Sequence, residues 1–334
     1  MKASFLNKEL KIYTAEIEIP VLDANQVLVK VESVGVCGSD VHYYKHGVIG
    51  PYVVENPIIL GHELSGTITA VGSEISPTRI GKRVAVEPQR ACKKCKQCLA
   101  GRYNLCPDIE FYATPPIDGA FCEYVKIESS FAFDIPDSIS FDAAALIEPM
   151  SVCLWAAQKA KIGPDSTVLI AGAGPIGVIM AQVASALGAP AVVVTDILDS
   201  RLDFVRGYGA TRTVNTSKSS LGDEKFDVFI DACGIPSAVY AGIKATGPAG
   251  RVLLVGLGSD DMNLPVSHIQ NNEIIVTGVF RYTNTWPTSI DLIAAGKVNL
   301  DAIVTHRFGL DDVEAALNAT SDPKAMKVIV TPQI

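Results

Sequence analysis

Along the first part of the chain, apolar residues alternate with polar ones or gather in short runs: QVLVKVESVGVCG (26–38), GTITAVG (66–72), RVAVEP (83–88) and AFCEYVKI (120–127), with Gly or Pro between them. A period of two bounded by turn residues predicts strands. From about Ser4 to Ala145 the chain therefore reads as mainly β. The pattern changes after Phe141. The stretch DAAALIEPMSVCLWAAQKA (142–160) has helical composition and leads into six strand-like runs, near Val168–Ala171, Val192–Thr195, Arg212–Val214, Asp227–Asp231, Val252–Val255 and Ile274–Val279, separated mostly by helical stretches. That alternation predicts an α/β region built on a parallel, doubly wound sheet. Beyond Val279 it stops. Helix-like stretches at Ser289–Ala295 and Leu310–Ala319 and a closing strand, MKVIVTP (326–332), predict a tail that returns to the β-rich half.

The residues from Thr167 to Thr195 carry no charge and are long enough to span a bilayer. They also hold Gly172, Gly174, Pro175, Gly177, Gly188 and Pro190 between β-branched ends, so strand, glycine turn, helix and second strand fit better than one membrane helix. The first residues, MKASFLNKELKIY, show no apolar stretch of signal-peptide length, and the expected location is the cytoplasm.

Composition narrows the function classes. The 334 residues are 48% hydrophobic and 19% charged, which excludes a disordered chain, and the length favours two domains. Twenty-eight Lys and Arg against 36 Asp and Glu give a net charge of −8 without long like-charge runs, so no nucleic-acid partner is expected. Eight cysteines in a cytosolic chain are expected as thiols or metal ligands rather than disulfides.

Two patterns carry chemistry. The first is Gly172-Ala-Gly174-Pro175-Ile176-Gly177, between a strand and an apolar helix, with Asp196 ending the next strand. The first glycine makes the tight turn, the second admits backbone amides to a pyrophosphate and the third lets helix and strand pack closely. Asp196 can accept the ribose hydroxyls and would repel a 2′-phosphate, which favours NAD over NADP. Arg201 either opposes this or lies along the adenine edge. The second is Cys92, Cys95, Cys98 and Cys106, spaced C-x2-C-x2-C-x7-C in a loop with no apolar core, a spacing that suits a structural zinc, with an iron–sulfur cluster as the lesser competitor and Lys93, Lys94 and Lys96 offsetting thiolate charge. A more scattered set comprises Cys37, His62, Glu63 and Glu148, each beside Gly or Pro at a strand end or helix start. His46, His268 and His306 are expected as ordinary hydrogen-bonded or surface residues, and Cys122, Cys153, Cys233, Trp155 and Met180 as packing residues. Asp260-Asp261 and Asp311-Asp312 are expected as solvated caps.

Taken together, GVCGSD-x-H, GHE-x2-G-x5-G (61–72), the four-cysteine lobe and GxGPIG, in this order over nearly the whole chain, resemble the zinc-dependent medium-chain dehydrogenases. GVCGSDVHYY, IEPMSV and FRYTNTWP (280–287) resemble the polyol branch. The resemblance implies a GroES-like, mainly-β catalytic domain over 1–149 with its zinc lobe near 92–106, a Rossmann NAD-binding domain over 150–279, and a return segment over 280–334. It implies a catalytic zinc on Cys37, His62 and an acidic residue, for which Glu63 and Glu148 compete: Glu63 as ligand with Glu148 holding a zinc-bound water, or the reverse. A complete cysteine lobe departs from animal sorbitol dehydrogenases.

Further residues follow from the same resemblance. Ser39 and His42 become a proton relay, and Tyr43, Glu148, Arg281 and Tyr282 become substrate contacts. Ile176, Asp196, Arg201, Val255, Gly256, Leu257, Val279, Phe280 and Arg281 join the glycine turn around NAD. The expected reaction is oxidation of a secondary hydroxyl of a small-molecule polyol to a ketose, by a homotetramer or homodimer joined through the strand near Ile274–Val279. A dehydrogenase of a threonine-like amino alcohol or other alcohol, or a non-catalytic relative, is the alternative.

Overall fold

Strand Gln26–Gly35 shows why the first half is β: Val27, Val29 and Val31 are fully buried while Lys30 and Glu32 on the other face are only partly covered. Burial alternates only over Val29–Glu32, because Gln26, Leu28 and Val34 on the face of Lys30 are buried too, so the strand is covered on both faces at its ends and pairs antiparallel with Glu63–Val71 and Tyr124–Glu128. The computed structural model describes residues 1–259 and 261–333. It divides into two units, the first comprising Met1–Glu148, Trp286–Ala294 and the chain from Leu300 on, the second Pro149–Thr285 and Ala295–Asn299.

In the first unit a seven-stranded sheet runs in the order Ala132–Asp134, Arg83–Val86, Glu63–Val71, Gln26–Gly35, Lys327–Thr331, Val304–Gly309, with Tyr124–Glu128 also paired to Gln26–Gly35. The closing strand lies antiparallel to the end of Gln26–Gly35, Ile329 opposite Gly35 and Val330 opposite Val34. The tail thus returns to the β-rich half. Its parallel neighbour Val304–Gly309 has no counterpart in the pattern read above, because its exposed Thr305 and Arg307 give no apolar run. The helical stretch 142–160 is two helices, Phe141–Ala145 and Ile147–Ala160.

In the second unit Val192, Val193 and Val194 are all buried, as a strand covered on both faces requires. Six parallel strands run in the order Arg212–Asn215, Ala191–Asp196, Thr167–Ala171, Phe226–Asp231, Thr246–Leu254, Ile275–Gly278. The doubly wound sheet is confirmed. The order reverses between Thr167–Ala171 and Phe226–Asp231, which opens a crevice beyond their carboxyl ends, at Gly172 and Ala232. The uncharged span divides into strand Thr167–Ala171, helix Pro175–Ala186 and strand Ala191–Asp196. No helix among the described residues is long and apolar enough to cross a membrane.

Candidate active site

The register between strands Gln26–Gly35 and Glu63–Val71 sets Gly35 opposite Glu63. A Cβ on Gly35 would fall 2.0 Å from Glu63 Oε2, so only glycine leaves room for that carboxylate. Two residues on, Cys37 caps helix Gly38–His46, whose Asp40 accepts the Cys37 N–H at Oδ2 (2.9 Å). Asp40 Oδ1 accepts the Gly61 N–H at 2.9 Å and stands 3.7 Å from His62 Nδ1. One buried carboxylate therefore ties together the two segments that carry Cys37 and His62, and facing Nδ1 it leaves Nε2 for a metal. The ligand atoms of Cys37, His62 and Glu63 all lie within 4.8 Å of one another. Thiol, imidazole and carboxylate with one position left open form a donor set that suits catalytic zinc.

Glu148, buried at the second position of helix Ile147–Ala160, is not part of that cluster. It contributes to raising the pKa of both Glu87 and Lys327. Burial pushes the Glu87 carboxyl up to about 7, against hydrogen bonds from Gln89 Nε2 (2.5 Å) and the Tyr103 hydroxyl (2.9 Å). Burial opposes protonation of His62, but Asp40 and Cys37 outweigh it and hold the imidazole well above its ordinary value. Lys327, on the closing strand, reaches Glu63 with its ammonium, and that carboxylate overrides burial to raise the lysine pKa.

Ser39 is half-buried on helix Gly38–His46, Tyr43 is buried there, and His42 is exposed with its ring against His46 at 4.6 Å. Arg281 and Tyr282 belong to the second unit. Arg281 has a left-handed backbone (φ 51°) and lies over the Phe280 ring at 4.8 Å, while Tyr282 is fully buried.

The four lobe cysteines also cluster within 4.8 Å. Sγ separations of 3.9 Å (Cys92–Cys98) and 3.5 Å (Cys95–Cys98) match the edge of about 3.8 Å of a zinc tetrahedron and exceed the disulfide length of about 2.05 Å. Backbone N–H groups of Cys95, Cys98 and Cys92 point at Sγ of Cys92, Cys95 and Cys106. The Lys94 N–H, with that of Cys95, pulls Cys92 down to about 7, whereas burial and the thiols of Cys95 and Cys106 push Cys98 up to about 12. A metal that takes all four as thiolates would displace protons here. Lys93 is spent elsewhere, in an ion pair with Glu128.

In the second unit Gly172 has φ +101°, and a Cβ on Gly177 would strike the Gly172 carbonyl oxygen at 1.9 Å. Gly174 caps helix Pro175–Ala186 with open space around it, the nearest atom to a Cβ there being an Arg201 guanidinium nitrogen at 3.8 Å. Arg201 therefore stands over the glycine turn, its buried Nε without a hydrogen-bond partner. Asp196 accepts N–H bonds from Ala173 (2.8 Å), Ile197 (2.7 Å) and Leu198 (3.0 Å). Val255 and Gly256 donate to the Asp231 carbonyl, Leu257 is exposed, Val279 donates to the Leu254 carbonyl and Phe280 is half exposed. An open, donor-rich helix terminus with an unspent arginine nitrogen suits a pyrophosphate.

The remaining expectations resolve simply. Cys122, Cys153 and Met180 are buried and Trp155 and Cys233 partly so; His268 bonds the Thr246 carbonyl and His306 the Thr305 hydroxyl. The acidic caps need correction. Asp311 bonds Lys2 and Thr14 instead, and Asp312, at the N-cap of helix Val313–Ala319, makes no side-chain cap bond. Asp260 lies outside the described residues. Sequence reasoning passed over Gly35, Asp40 and Lys327. Asp40 has the spacing of a capping box after Cys37, and Lys327 is a charge at the head of an apolar strand.

Comparison with known proteins completes the description. Residues 23–137 match the alcohol dehydrogenase GroES-like domain and residues 175–295 the zinc-binding dehydrogenase domain. The chain is 42% identical to a sorbitol dehydrogenase of Bacillus subtilis (strain 168) over 99% of this chain and 97% of that one. It is also 42% identical to the sorbitol dehydrogenase of Mus musculus, over 93% and 90%. A structure described as a short chain alcohol dehydrogenase from E. coli CFT073, complexed with NADH, superposes with a TM-score of 0.93 at 30% identity, covering 99% of each chain.

Proposed function

The chain belongs to the zinc-dependent medium-chain dehydrogenases, in the branch of the sorbitol dehydrogenases, and from that premise we propose that it oxidises a secondary hydroxyl of a sugar alcohol to a ketose with NAD as hydride acceptor. The observation that carries this reading is the convergence of Cys37, His62 and Glu63 within 4.8 Å. When bound, zinc supplies Lewis-acid polarisation of the hydroxyl and NAD supplies the acceptor carbon. Cys37, His62 and Glu63 would hold the metal, and Glu148 would orient a water or hydroxyl beside it. Ser39 Oγ takes the proton of the reacting hydroxyl and passes it to His42, whose exposed ring hands it to solvent. Tyr43 and Glu148 of the first unit bond further hydroxyls, which makes the site reject alcohols that lack them, whereas Tyr282 of the second unit is fully buried and is not a substrate contact. Gly172, Gly174, Pro175, Ile176 and Gly177 cradle the pyrophosphate with Arg201 above them. Asp196 takes the adenosine ribose, and Val255, Gly256, Leu257, Val279, Phe280 and Arg281 line the rest of the cofactor. Cys92, Cys95, Cys98 and Cys106 hold a second, structural zinc.

The protein works in the cytoplasm as a homotetramer or homodimer. A panel of sorbitol, xylitol, arabinitol, galactitol and threonine with NAD tests the substrate class: turnover of at least one polyol is expected, and activity on threonine alone would overturn it. Metal analysis should find two zinc ions per chain. Cys37→Ser should abolish turnover and leave NAD binding intact, and retained turnover without zinc would end the assignment.

A further inference from the structure

The buried ion pair at the metal cluster has its own consequence. Glu63 is 1% and Lys327 5% exposed. Lys327 Nζ stands 2.7 Å from Oε1 and 2.6 Å from Oε2, and donates a further bond to the Val36 carbonyl at 2.9 Å. The ammonium is thus pinned to the backbone immediately before Cys37. A carboxylate has about four lone-pair directions, so Glu63 can serve an ammonium and a metal together, but both cations draw on one negative charge.

We propose that Lys327 is a positioning residue that competes with the metal for Glu63, holding the carboxylate in place before zinc arrives and weakening its grip afterwards. Zinc is then bound less tightly than Cys37, His62 and Glu63 would bind it alone, and keeps more of its Lewis acidity. The inference rests on the reading of that cluster as the catalytic zinc site. A merely structural lysine predicts the opposite sign, because losing it would loosen Glu63 and the metal together. Under the proposal, losing it leaves a buried carboxylate uncompensated, and the metal becomes its remaining partner.

The test is chelator competition on the zinc-loaded enzyme, with the four-thiolate zinc as internal reference. Lys327→Met should lower the zinc Kd of the Cys37 site by roughly tenfold or more, and should widen the gap in Tm between zinc-loaded and zinc-free protein. Lys327→Gln, which keeps an N–H for both acceptors, carries the same expectation, and Lys327→Arg should restore the wild-type Kd. In a Glu63→Gln background Lys327→Met should no longer tighten zinc. An unchanged or raised Kd in the neutral variants would overturn the proposal, as would equal tightening without Glu63 or failure of both neutral variants to fold with zinc supplied. Wild-type protein carrying only the thiolate-bound zinc would instead overturn the site assignment itself.

Discussion

Gly35 illustrates how tightly single residues are specified around the metal cluster. Its missing Cβ leaves the volume that Glu63 Oε2 occupies, with a Leu146 methyl at 3.0 Å on the same side. Gly35→Ala should therefore displace the Glu63 carboxylate, cost about 1–3 kcal/mol of stability, and lower zinc content from two per chain toward one, which denaturant titration and metal analysis would read. A neutral outcome in both would mean that the carboxylate moves freely. Glu87 offers a pH signature. Its folded pKa is about 7 against an ordinary 4.5, so between those values the folded chain binds more protons than the unfolded one. Stability from this group is present below about pH 4.5 and is lost as pH rises toward 7, by about 3 kcal/mol at most. In protein stripped of the catalytic metal, Glu87→Gln should flatten this decline, and parallel stability-versus-pH curves for variant and wild type would exclude it. Neither residue carries a motif. Cys37, His62 and the lobe cysteines stood out because their side chains are chemically rare, whereas Gly35 matters through an empty volume that exists only once two strands are in register.

Elements differ in how much of them the linear pattern revealed. Strands Thr167–Ala171 and Ala191–Asp196 were legible because both faces are buried and the apolar run is continuous. Strand Val304–Gly309 was not, since none of its residues is fully buried and the exposed Thr305 and Arg307 leave it no apolar run, so it is a strand only through its pairing with Lys327–Thr331. Strand Ile275–Gly278 stands at the edge of the parallel sheet, paired on one side to Thr246–Leu254 with Ile275 51% exposed. An exposed, apolar edge invites pairing with another copy. If copies pair along this edge, Ile275→Lys should shift sedimentation toward a smaller species while leaving NAD binding unchanged, and an unaltered mass would exclude this edge as a contact between copies.

At the scale of the whole molecule, each unit carries its own hydrophobic core, one around Val29, Leu64 and Phe121 and the other around Leu169, Phe229 and Val252. Separate cores make separate cooperative units. Calorimetry should show two transitions, NAD raising that of the parallel-sheet unit and zinc removal lowering the other; one transition that responds equally to both would contradict this. What the sequence determined by itself is what depends on neighbours along the chain: strand and helix periodicity, the glycine turn with its acidic partner, the compact spacing of the four-cysteine lobe, and through these the family. The tertiary structure decided what depends on residues distant in the chain. It brought Glu63 rather than Glu148 into the cluster with Cys37 and His62, set Asp40 between the segments that carry Cys37 and His62, and delivered Lys327 from the last strand to that cluster. Such pairings arise from strand register and buried charge, and both are properties of the packed chain that no local pattern encodes.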